Sequence, residues 1–125
     1  MQLSINAREI QDVVILDLSG RLVMGEEVDS VRHMIRDLVD HHHKRIALNL
    51  DQVSRIDSTG IGMLVEAVIY TVKQGGRLIL FLVPRLVRNI LTTHRLLPAF
   101  EIYPTEAEAI AGFQQPPSAP PGKEF

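Results

Sequence analysis

Ser58 sits in the run Asp57-Ser58-Thr59-Gly60-Ile61-Gly62, between an apolar strand-like segment and a helix-like one. That placement puts a hydroxyl at the mouth of a helix, where free backbone N–H groups face outward and an anion is welcome. Three roles are open to such a serine: nucleophile, phosphate acceptor, or plain helix cap, for which serine is a favoured residue. A nucleophile elbow needs glycine two residues before the serine, and Ile56 stands there. The glycine-rich Gly-Lys-Ser/Thr signature of a phosphate-binding loop is absent, which argues against nucleotide binding by the domain itself. Phosphoacceptor and cap remain, and they are compatible. Thr59 reads as a first-turn residue rather than a second phosphosite. Asp57 reads as an acceptor for the hydrogen bonds that hold the turn.

Other candidate chemistry is thin. His41, His42 and His43 are consecutive, so on a helix they point about 100° apart and do not converge on one metal ion. They read as a solvated helix end, and His33 and His94 as lone surface residues. Arg85, Arg88 and Arg95 form a modest basic edge that reads as solvated. The chain has no cysteine, which excludes disulfides, thiolate metal sites and cysteine nucleophiles. No cofactor, metal or catalytic residue is expected, and the reading is of a protein that is not an enzyme.

The elements that must position Ser58 follow from periodicity. Leu3, Ile5 and Ala7 alternate with polar residues, as in a strand; Gln11-Asp12 offers a turn, and Val13–Leu18 reads as the hairpin partner. Residues 26–40 carry Val28, Val31, Ile35, Leu38 and Val39 at helical spacing, with Glu26 and Glu27 in the first turn. Arg45–Leu50 is a third strand. A helix from about Thr59 to Val72 buries Ile61, Leu64, Val65, Val68 and Val72, and Gln74-Gly75-Gly76 stops it. Arg77–Val83 is a fourth strand, apolar on both faces as in a sheet interior. Pro84 opens a helix with Leu86, Val87, Ile90 and Leu91 as its stripe. Phe100–Tyr103 is a short fifth strand, and a last helix faces Ala107, Ile110, Ala111 and Phe113 inward. The order is β-β-α-β-α-β-α-β-α. It predicts an α/β fold: a small mixed sheet, with an N-terminal hairpin and then parallel strands, and helices packed mostly on one face.

Four segments carry a resemblance to a known family: Gly20 closing the second strand, Ile46–Asp51 as the third, Ile56–Gly62 as the serine turn, and Gly75-Gly76-Arg77-Leu78 leading into the fourth strand. Together they resemble the STAS domain family, and within it the single-domain bacterial anti-sigma factor antagonists, or anti-anti-sigma factors. The resemblance spans residues 1–113 in one register. It implies a STAS-like fold and a partner-switching phosphoprotein in transcription regulation. The unphosphorylated form would bind an anti-sigma factor that is also a serine kinase and so release the sigma factor. Phosphorylation of Ser58 would switch binding off, and a serine phosphatase would reset it. The expected partner surface comprises Val23, Met24, Asp57, Ser58, Thr59, Gly60, Ile61 and Met63. One departure stands out: family members often carry an acidic residue three positions beyond the glycine, where this chain has Val23. It sustains a second reading, a STAS binding subunit without phosphorylation, in a signalling scaffold or a lipid-transport ATPase.

Composition bounds these expectations. The 125 residues suit one domain, and 46% hydrophobic with 22% charged residues suits a globular one. A net charge of −2 gives no reason to expect direct contact with nucleic acid or an anionic membrane. Residues 1–6 lack the basic-then-apolar pattern of a signal peptide, and the apolar runs fall short of the ~20 residues that span a bilayer. A cytoplasmic location without membrane insertion is the expectation. From Gln114 the composition turns proline-rich, so residues 114–125 are expected to be a disordered tail.

Overall fold

The computed structural model describes residues 3–116. Strands β1 (Leu3–Ile10) and β2 (Val13–Leu22) form an antiparallel hairpin, and β3 (Arg45–Ile56), β4 (Arg77–Phe81) and β5 (Glu101–Tyr103) follow. The sheet order is β1-β2-β3-β4-β5, and β2 to β5 run parallel. Helices α1 (Glu26–Asp40), α2 (Ser58–Lys73), α3 (Arg85–Thr93) and α4 (Glu106–Gly112) connect or follow the strands, with a 3-10 turn at Leu97–Ala99. The predicted α/β order and hairpin-then-parallel sheet are the observed ones.

Strand residues alternate between two faces. Val14, Leu16 and Leu18 of β2, Ile46, Leu48 and Leu50 of β3, and Leu78 and Leu80 of β4 meet the buried stripes of α1, α2 and α3. Val13, Ile15, Ala47, Ile79 and Phe81 point the other way, onto Ala109 and Phe113 at α4. Central strands covered on both faces need apolar residues at every position, which is why β4 shows no alternation. Beside α4 the second face is closed by charge. Arg8 binds Asp17 (2.7 Å) and Glu106 (2.6 Å), and Asn49 donates to Asp17. The Arg8 guanidinium holds the Asp17 carboxyl down to about 2.

Turn chemistry fixes the ends. Gln11 and Asp12 both take positive φ (51° and 69°), the conformation that matches a two-residue hairpin loop to strand twist. At the end of α2, Gly75 adopts φ 85°, its N–H bonds the Val72 carbonyl, and Gly76 N–H bonds the Thr71 carbonyl. That pair is a Schellman motif and bears out the Gly-Gly stop.

Several expectations are corrected. β3 continues through Asp51–Ile56 rather than ending at Leu50, while β4 ends at Phe81 rather than Val83. Val72, expected in the core, is 57% exposed, and Leu86 of the α3 stripe is exposed too. In α4 the inward residues are Ala109 and Gly112 rather than Ala107 and Ala111. The described backbone runs on past 113: Arg77 Nη1 donates to the Gln115 carbonyl. Residues 117–125 of the expected tail lie outside the described residues. Among the described residues, no helix is long and apolar enough to cross a membrane.

Candidate functional site: the N-terminus of α2

β3 delivers the chain to the top of the sheet, where Ile56 is buried and Asp57 turns into α2. Asp57, in extended backbone geometry, is the N-cap: its Oδ1 accepts from Gly60 N–H at 2.9 Å. Its Oδ2 accepts from Met24 N–H, also at 2.9 Å. One carboxylate therefore clamps the β2–α1 loop to the start of α2. Those two backbone donors, Met24 first, hold the Asp57 carboxyl below the usual carboxylate range.

The capping role weighed for Ser58 thus belongs to its neighbour. Ser58 is the first helical residue, and its side chain is exposed. Its hydroxyl carries none of the capping load, so it can be modified without uncapping the helix.

Gly60 and Gly62 are present for different reasons. A Cβ on Gly60 would lie 2.2 Å from the Leu22 carbonyl oxygen and 2.8 Å from Ile56 Cγ1, so glycine here lets α2 close onto the end of β2. A Cβ on Gly62 would meet nothing within 4 Å. Gly62 is exposed, and nothing among the described residues asks for glycine there.

The structure brings Val23, Met24, Asp57, Ser58 and Thr59 to one edge. Met24 is 72% exposed, and Val23 and Thr59 are half-buried. Met63 is corrected: at 1% exposure it belongs to the core, because it follows Ser58 by five residues and faces the sheet. Gly60 and Ile61 are also buried, although Ile61 lines a groove of about 520 Å³ beside Ser58. That groove adds Ile90, His94 and Leu96 from α3 and the segment after it, a contribution the sequence reading missed. Its only signal was the four-residue spacing of Ile90 and His94, which read as core stripe and lone surface residue.

The clamp gives a measurable expectation. Asp57→Ala removes both hydrogen bonds and costs about 0.5–2 kcal/mol of stability, the range for losing an acidic N-cap. Asp57 has a folded pKa below its unfolded one, so its contribution is present above the ordinary carboxylate range and lost as pH falls through the depressed folded value. Thermal unfolding of wild type and Asp57→Ala across a pH series should show a gap at neutral pH that narrows on acidification.

This fold and edge define a small α/β domain with an exposed hydroxyl at the mouth of α2 beside an apolar groove. The STAS domain family matches residues 4–109, and the chain belongs to that family. No curated protein matches the sequence. Among solved structures, TM1081 of Thermotoga maritima, provisionally described as an anti-sigma factor antagonist, superposes with TM-score 0.80 at 24% identity. The match covers 89% of this chain and 95% of that one. The anti-sigma factor antagonist SpoIIAA in its unphosphorylated form gives TM-score 0.72 at 21% identity, over 90% of this chain and 100% of that one. The phosphorylated form of the Bacillus protein SpoIIAA gives 0.69 at 23%, over 88% and 99%. At these identities the likeness is one of fold.

Proposed function

We propose that this chain is an anti-sigma factor antagonist. Its unphosphorylated form binds an anti-sigma factor with serine kinase activity and so frees a sigma factor; phosphorylation of Ser58 ends that binding, and a serine phosphatase restores it. The observation that carries this reading is the division of labour at the turn: Asp57 holds the helix, and Ser58 stands exposed beside it. Phosphate adds about −1.5 to −2 charges at neutral pH. The helix dipole tolerates that dianion inside this domain, whereas a partner packed over Ser58 would have to bury it. The partner surface is Val23, Met24, Ser58, Thr59 and Gly62, with Ile61 reached through the groove. Asp57 and Gly60 act as its frame.

Incubation with a serine kinase encoded beside the gene, plus ATP, should place one phosphate on Ser58 by mass spectrometry and none on a Ser58→Ala variant. Phosphate at Thr59 or elsewhere, with Ser58 unmodified, would overturn the assignment.

The apolar Val23–Met24 pair favours a second reading, a STAS subunit that binds its partner without phosphorylation. In that case the kinase leaves Ser58 untouched while binding of the partner persists.

A further inference from the structure

The outer face of α2 carries more apolar surface than the turn explains. Ser58, Gly62, Val65, Ile69 and Val72 follow one another at steps of four, three, four and three residues, the spacing of a coiled-coil seam. Ile69 is 50% exposed and Val72 57%, on a helix whose opposite face fills the core. The two ends of this seam have opposite shapes. Near Ser58 it is concave: Gly62 has open space where a side chain would be, and Gly62 and Val65 line the groove shared with α3. Towards Lys73 it is convex, with Ile69 and Val72 standing out. Gly62 and Val72 lie about 15 Å apart along the axis.

We infer that α2 is a self-association surface, on which a second copy of this chain packs its own α2 antiparallel. A twofold axis at the level of Ala67 sets Val72 of each copy into the space at Gly62 of the other, and Ile69 against Val65. Both layers then pair a larger side chain with a smaller one. An isologous contact requires this self-complementarity, and here knob and hole sit on the same helix.

Charge agrees with shape. The Ser58 end of α2 carries the Asp57 carboxylate. The other end carries Lys73 in the last turn and Lys44, whose Nζ donates to the Gln74 carbonyl at 2.6 Å. Antiparallel pairing opposes the two helix dipoles and brings the Lys73 end of each helix towards the Asp57 end of the other. Glu66, flanking the seam near the axis, is already paired with Arg32 of α1 at 3.0 Å, so it brings no bare charge to the contact. A second copy of the chain therefore satisfies both halves of the surface. The inference concerns the unmodified protein and does not require phosphorylation of Ser58, but the contact shares Gly62 and the groove with the proposed partner surface, so the two associations compete.

The chain has no native cysteine, so introduced thiols report the register without interference. Val65→Cys mixed with Ile69→Cys should form a disulfide-linked dimer several-fold faster than either variant alone at the same total concentration. Sedimentation of wild type from micromolar to millimolar concentration should show a reversible monomer–dimer shift. Ile69→Lys, a change on a half-exposed side chain, should abolish that shift with its thermal midpoint kept. Monomer at every concentration would overturn the inference, and so would equal cross-linking rates in mixed and single samples.

Discussion

Replacing Ser58 with Asp is expected to weaken binding to the proposed anti-sigma partner by about 100-fold or more while leaving the domain at least as stable as wild type. The two halves of this result have separate causes. Within the domain, residue 58 is the first helical position and is exposed. A carboxylate there meets the positive end of the α2 dipole and is worth about 0.3–1 kcal/mol in favour of the fold. The Asp57 clamp onto Met24 and Gly60 does not use the residue-58 side chain, so nothing is uncapped. Across an interface the sign reverses. An anion covered by a partner without a matching cation loses its hydration, at a cost of about 3 kcal/mol or more, which is about two orders of magnitude in Kd. Titration calorimetry against the partner, beside thermal unfolding of the same samples, reads both halves. Wild-type affinity in Ser58→Asp would remove the switch, and a large fall in midpoint would mean that residue 58 is structural.

The framework of this site was legible because its signals are local. A turn of two positive-φ residues, a Gly-Gly helix stop and an aspartate before a helix each act within a few residues, and each appears where periodicity and turn chemistry put it. Features set by distant elements were not legible. β3 runs on to Ile56 because β2 continues beside it, with register shifts between Asp17 and Ser19 and between Gly20 and Arg21. Those shifts bury Val53 and Ile56, three residues apart, and destroy the two-residue alternation by which a strand is read. In α4, alanine is too small to mark a face, so the choice between Ala107 and Ala109 falls to Phe113 and the sheet beneath. Met63 shows the same limit at the site. Its place near Ser58 in sequence suggested the surface, while the helical turn takes it to the core. Val72 errs the other way: it is apolar at helical spacing yet 57% exposed, so the pattern alone does not say which partner covers it.

The glycines of the turn offer the sharpest structural test, because the same substitution two residues apart should act with opposite sign. In Gly60→Ala the new methyl carbon starts 2.2 Å from the Leu22 carbonyl oxygen and 2.8 Å from Ile56 Cγ1. The nearest obstacle is backbone, so rotation of a side chain cannot relieve it; α2 must lift away from the end of β2. That movement strains the Asp57 N–H contact to the Leu22 carbonyl, 3.4 Å in the native fold, and the Met24 bond to the Asp57 carboxylate. A cost of about 2–4 kcal/mol follows, the range for overpacking that reaches the backbone. For a domain of this size it lowers the thermal midpoint by roughly 10 °C. In Gly62→Ala the methyl carbon enters open space, and the helix gains up to about 1 kcal/mol from alanine's better propensity. Thermal unfolding of the two variants side by side should therefore bracket wild type. Gly62 costs the helix stability, and no neighbour among the described residues requires glycine there, so a contact made by another chain is what the variant tests. If Gly62→Ala raises the midpoint yet weakens association, the glycine serves contact rather than folding; if association is unchanged, no close contact is made at Gly62.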